Sequence, residues 1–205
     1  MENQRIQQDL ESIRHLMERS VKFISLSGLS GILSGVYALI GAALAYNQIY
    51  SGEVARTVTY YQGNFPVVRN LFVIALVVLL ASLITGWWFS FRKAKKLKTK
   101  IWNETSRRLL INLAIPLIVG GIFTLVLVYH GHYNVVAASV LIFYGLALIN
   151  ASSNLFEEIR YLGYCELVVG LIAGVLPGYG LYFWAVGFGL LHILYGGMMY
   201  RKYDR

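Results

Sequence analysis

The sequence predicts an all-α fold: a polytopic membrane helical bundle of about six transmembrane helices with both termini cytoplasmic. Three observations predict it: an apolar composition, a series of uncharged stretches of bilayer length, and a one-sided distribution of the basic residues between them. Of 205 residues, 57% are hydrophobic and 14% charged, which leaves a soluble domain too little polar surface to stay dispersed. The apolar stretches must be helical, because lipid offers nothing to an unpaired backbone group. A transmembrane barrel would need short alternating runs, and residues 71–80 contain no polar alternation.

Residues 1–22 are polar and charged, with Ile6, Leu10, Ile13, Met17 and Val21, then Ile24, spaced close to a heptad seam. They predict an amphipathic cytoplasmic or interfacial helix that lies on the membrane, pairs with another subunit or packs on the protein's own cytoplasmic loop. The first span covers 23–46. Ala43 and Ala45 have the form of a signal-peptide cleavage site, but the apolar run before them is about 20 residues, longer than the usual 7–15, so the segment is read as uncleaved. Further spans at 71–91, 109–129, 135–154, 161–176 and 179–200 complete a transmembrane domain over 23–200, and 201–205 form a short basic tail. The fifth span is the shortest and carries Glu166. It ends at Pro177-Gly178-Tyr179-Gly180, a tight-turn signal, so spans five and six are expected to form an antiparallel hairpin. The 46–70 segment, with Tyr60, Tyr61 and Pro66, is the longest outer loop and reads as a connector or as a cover for the outer mouth.

If the spans alternate, 16 of the 18 Lys and Arg residues fall on one side, leaving Arg56 and Arg69 on the other. The positive-inside rule makes the richer side cytoplasmic and places the chain in an inner or plasma membrane. Trp87 and Trp88 beside Arg92, and Tyr129 with Tyr133 around a short outer turn, fit headgroup level. Lys93, Lys95, Lys96, Lys98 and Lys100 are juxtamembrane, so they point to anionic lipid headgroups, and the net charge of +8 does not argue for nucleic acid.

Metal and cofactor chemistry finds little support. The single Cys165 excludes an internal disulfide and a cysteine-rich metal site. His130 and His132 lack neighbouring acidic or cysteine ligands, and His192 has no transmembrane histidine partner for a haem. No glycine-rich phosphate loop is present, and no cofactor is expected. Gly28-Leu29-Ser30-Gly31 with His192 resembles the serine and histidine motifs of rhomboid intramembrane proteases over those residues alone. The serine motif there lies in a later helix, whereas here it opens the first span.

Small residues recur at helical spacing: Ser27, Gly31 and Gly35 in span one, and Gly163, Gly170 and Gly174 in span five. Such faces let helix backbones approach closely, and the span-one face is expected to meet either another helix of the chain or a second copy in a homo-oligomer. A slight similarity between 35–40 and 143–148 does not establish an inverted repeat. Glu166 shares a face with Gly163 and Gly170, which directs it inward, because a carboxylate in lipid is expensive. His192 lies between Gly189 and Gly196, and the hairpin sets Glu166 opposite Gly189 and His192 opposite Gly163, about one helical turn apart. With Ser30, Ser34, Asn112, Asn150, Asn154 and Tyr195, these residues predict a polar pocket in the cytoplasmic half. The Glu166 and His192 pair is expected either to relay protons or to clasp two helices. Three roles follow: a small channel or transporter-like protein, a non-catalytic scaffold or sensor subunit holding a partner protein or anionic lipid, and, more weakly, an intramembrane enzyme.

Overall fold

The computed structural model describes residues 27–50, 65–96, 102, 104–152 and 157–204. The 1–22 segment, most of the 46–70 loop, Lys98, Lys100 and Asn154 lie outside the described residues. The described part is 94% helical with no strands. Six long helices follow in order: α1 (Gly28–Tyr50), α2 (Phe65–Lys96), α3 (Glu104–Tyr129), α4 (Val136–Ala151), α5 (Glu157–Val175) and α6 (Gly180–Asp204). A short 3₁₀ turn at Tyr133–Val135 leads into α4. Five of the six are long and apolar enough to cross a membrane; α5, with Glu157, Glu158, Arg160 and Glu166, is not among them.

Two helix pairs are pressed together at backbone distance. On α1, the small face predicted from Gly31 and Gly35 is covered by α6 of the same chain. A Cβ at Gly35 would lie 2.6 Å from the Gly189 carbonyl, and one at Gly196 would lie 2.8 Å from the Gly28 carbonyl. On α5, Gly163 and Gly170 face α4: a Cβ at Gly163 would lie 2.9 Å from the Gly145 carbonyl, and one at Gly170 the same distance from the Ile142 nitrogen. Gly174, one turn on, makes ordinary contact with Ala138. Dispersion and desolvated backbone contacts of this kind hold helices together where lipid supplies no hydrophobic drive.

Each pair carries one flanking helix. α2 rests on α1, where Gly41 receives Ile74 and Val78 and the Tyr37 and Thr85 hydroxyls are 3.3 Å apart. α3 rests on α4, with the Phe143 ring over Gly120, Thr124 and Ser139 hydroxyls 2.9 Å apart, and the Asn150 amide donating to the Asn112 carbonyl at 2.7 Å. The outer faces of α2 and α3 are exposed aliphatic surface, including Val77, Leu83, Ile84, Ile118, Ile122 and Leu125, the composition a bilayer requires. Pro116 sits inside α3 without ending it.

The bundle therefore divides into two three-helix halves, α2–α1–α6 and α3–α4–α5, that meet along a seam. The division is not between the first three helices and the last three, because α6 returns to join α1. The expected pairing within the α5–α6 hairpin also differs. Gly189 faces Leu39 of α1 and Gly163 faces α4, since each glycine face is taken by the helix that can approach most closely. The turn itself is tight: Gly178 has φ 96°, a left-handed conformation suited to glycine, and Tyr179 N–H donates to the Leu176 carbonyl.

Two apolar layers close the seam above and below its middle. One comprises Ala138, Leu141 and Ala173 with Phe183 and Phe188 against them. The other comprises Leu148, Ala151, Ile159, Leu162 and Met199. Beyond the second layer the charged helix ends converge. The Asp204 carboxylate accepts from Gly28 N–H at 2.8 Å, from the Ser27 hydroxyl at 2.9 Å and from Lys93, tying the ends of α1, α2 and α6 together.

Gly196→Ala tests one of these contacts. Its Cβ would meet the Ile32 nitrogen and Gly28 carbonyl, backbone atoms that move only if α1 and α6 part. The expected cost is about 1–3 kcal/mol, read as a lower thermal-unfolding midpoint in mild detergent. Gly86→Ala, where nothing lies within 4 Å, should match the parent or exceed it slightly. Equal midpoints for the two variants would refute the backbone contact.

Candidate functional site

At the middle of the seam α5 contributes Glu166, α6 contributes His192 and α4 contributes Tyr144. Glu166 is completely enclosed, at 0% exposure, and its Oε1 is 3.4 Å from His192 Nδ1. That separation is an ion-pair distance but longer than a good hydrogen bond. Neither Glu166 oxygen has a hydrogen-bond partner among the described residues. An ionised carboxylate in that condition would cost several kcal/mol.

Gly187 makes the space. A Cβ there would lie 2.5 Å from Glu166 Oε2 and from Leu141 Cδ2, so the carboxyl occupies the room that a side chain would fill. Gly187 also belongs to a π-helical stretch, Ala185–Leu191, that interrupts α6 immediately before His192. Such wide turns are frequent at functional sites, because they displace side chains from the ordinary helical register.

His192 is fully satisfied. Its Nδ1 is 3.0 Å from the Gly187 carbonyl, which can only accept, so Nδ1 carries a hydrogen. Its Nε2 is 2.7 Å from the Tyr144 hydroxyl. A neutral imidazole accepts the tyrosine proton there, while a protonated one donates to the tyrosine oxygen, so the ring can hold either charge without losing a partner. Aromatic packing fixes it: Tyr144 stacks at 5.4 Å and Phe188 at 5.9 Å between centroids.

The structure brings Glu166 and His192 together but does not gather the other described residues of the predicted pocket around them. Ser30 donates to the Ser27 carbonyl of its own helix at 2.7 Å. Ser34 is half-buried on α1, while Asn112 and Asn150 tie α3 to α4. Tyr195 faces Cys165, 3.5 Å from its sulfur, rather than Glu166. Of the lipid-directed lysines, Lys93 is bonded to Asp204, whereas Lys95 and Lys96 are exposed. Tyr144 and Gly187 are functional candidates absent from the sequence-derived set. A tyrosine hydroxyl in the apolar interior of a span was a usable signal for the first, and no residue pattern marks the second.

At the charged end of the seam, ahead of the apolar stretch of α5, Glu158 accepts from Lys202 at 2.6 Å and from the Tyr203 hydroxyl at 3.1 Å. Burial pushes its carboxyl up, but the hydrogen bonds from Lys202, its own backbone and Tyr203 outweigh this and hold its pKa below the ordinary glutamate value. No family model, curated protein or solved structure matches the chain.

Because the folded-state pKa of Glu158 is depressed, its contribution to stability is fully present above the unfolded carboxylate value and disappears as pH falls through the lower folded one. Acidification from about pH 6 to about pH 3 should therefore destabilise the parent more than Glu158→Gln. Unfolding midpoints across that range, measured on both proteins in one detergent, give the comparison; parallel curves would contradict it.

Proposed function

We propose that this chain is a small transporter-like membrane protein whose activity is proton-linked, with α5 as a sixth crossing and both termini cytoplasmic. One observation carries the reading: a fully buried carboxyl without a hydrogen-bond partner among the described residues, next to an imidazole that is bonded on its other side to a tyrosine hydroxyl. Ionisable groups at membrane depth are retained against a large desolvation cost, and a chain of Glu, His and Tyr is the chemistry of a proton path.

The path follows from the hydrogen bonds. A proton arriving from the Tyr144 side is taken by His192 Nε2, and the tyrosine hydroxyl turns from donor to acceptor. Nδ1–H then moves from the Gly187 carbonyl towards Glu166 Oε1, a closure of a few tenths of an ångström to reach hydrogen-bond length. Transfer leaves neutral His192 with its hydrogen on Nε2 and a protonated Glu166. Release of that proton to the opposite side, followed by return of the imidazole to its first tautomer, completes a cycle. The two-half architecture supports such a cycle, since rocking of one half against the other changes which side the seam faces.

Proton flux into proteoliposomes tests the reading. Glu166→Gln should fold and lose at least about a hundredfold of the flux, the lower end of the range for a positioned acid–base group, and Tyr144→Phe should lose a smaller part. Equal flux in Glu166→Gln and the parent would sink the proposal. No flux in either, with the fold intact, is the outcome expected of a scaffold that uses exposed Lys95 and Lys96 to hold anionic lipid or a partner protein.

The crossing number has its own test. Reporter fusions after Tyr50, between Lys93 and Lys100, at Gly131 and after Arg205 should read outside, inside, outside and inside. An outside reading at the last position removes the sixth crossing.

A further inference from the structure

Glu166 combines complete enclosure with two unbonded oxygens among the described residues. The ionisable groups facing it are His192 from α6 and Tyr144 from α4, and both are already bonded, to Gly187 and to each other. Leu141, Gly145 and Gly187 complete the wall without contributing a charge, and Cys165, its neighbour on α5, turns to Tyr195. A metal cation exchanging its water shell for protein needs several oxygen ligands, whereas this site supplies one carboxylate, its other oxygens, the Gly187 carbonyl and the Tyr144 hydroxyl, being engaged by His192. The described residues contain no group of three or more His, Cys, Asp or Glu able to hold such an ion. A proton needs one oxygen and no cavity.

We propose that the seam is a proton site rather than a metal-cation site, that Glu166 itself holds the proton at rest, and that this enclosed carboxyl becomes open to covalent capture by an apolar carbodiimide when the two halves part. The inference deepens the transport reading by naming what the site binds. In the capture reaction a Glu166 oxygen attacks the central carbon of the R–N=C=N–R reagent while the carboxyl proton passes to one nitrogen, giving an O-acylisourea. The acyl group then migrates from oxygen to the neighbouring nitrogen as an N-acylurea. Nothing leaves, so the protein gains the mass of one whole reagent. An ionised carboxylate has no proton to give, and an apolar reagent concentrates in lipid, so the water-exposed Glu104, paired with Arg108, is a poor target.

The experiment uses the full chain in lipid at neutral pH. Infrared spectra of the parent minus Glu166→Gln should show the carbonyl stretch of a protonated acid, shifting in heavy water. Dicyclohexylcarbodiimide followed by peptide mass mapping should place one adduct on Glu166; this readout uses the parent alone and does not depend on the variant folding. Carboxylate stretches in place of the acid band would overturn the proton assignment. An acid band with Glu166 unmodified at saturating reagent would overturn the capture. An adduct and an acid band in a protein that moves no protons would sink the transport reading and leave this one standing. Flux with an ionised, unmodified Glu166 would do the reverse.

Discussion

Backbone contact between glycine faces is the constraint from which the rest of the architecture follows. Lipid gives apolar side chains no reason to leave it, so a helix pair in a bilayer must be held by close packing and polar contacts. Here Gly28, Gly31 and Gly35 of α1 meet Gly189 and Gly196 of α6, and Gly145 of α4 meets Gly163 of α5. Once those pairs form, α2 and α3 are left on the outside as aliphatic flanks, and what remains between the pairs is a seam closed by larger side chains. The halves are each tight within themselves, while the surface between them is where the enclosed carboxyl is admitted.

That placement explains why a costly residue sits where it does. Within either glycine-packed pair there is no room for a carboxyl, and on the flanks it would face lipid. The seam alone offers both a gap, at Gly187, and a polarisable ring, at His192. The imidazole keeps both of its hydrogen bonds in either charge state because one partner is a carbonyl and the other a hydroxyl that can donate or accept. A change of charge at the centre therefore need not disturb the packing above and below.

Much of the fold was legible from residues alone, because apolar runs of bilayer length and their flanking charges report directly on the cost of exposing backbone and charge to lipid. The same cost made Glu166 readable as inward-facing, and its neighbour His192 was identified with it. The route between them was misread: spacing says which residues share a helix face but not which neighbouring helix covers that face. Thus the Gly163 face, expected to oppose His192, packs on α4, while the Gly31 face, for which spacing leaves the covering helix unnamed, packs on α6. Depth groups Ser30 with Asn112 and Asn150, yet Ser30 bonds within α1 while the two asparagines tie α3 to α4, since depth carries no information about azimuth. Tyr144 and Asp204 act through contacts more than 40 residues away in sequence, beyond the reach of any local pattern.

The π-helical stretch at Ala185–Leu191 makes the length of α6 matter as much as its composition. A π turn accommodates about one residue more than the α-helical turn it replaces, and one residue corresponds to about 100° of rotation. The helix therefore carries a single residue of slack between Trp184, which packs beside Gly41, and His192. Deleting one residue there and restoring an unbroken α-helix would leave every side-chain type in place. It would also turn the imidazole away from Tyr144 and rotate the Gly196 face off α1. In this helix a one-residue deletion is thus more disruptive than most substitutions, because register is what aligns the ring with the seam.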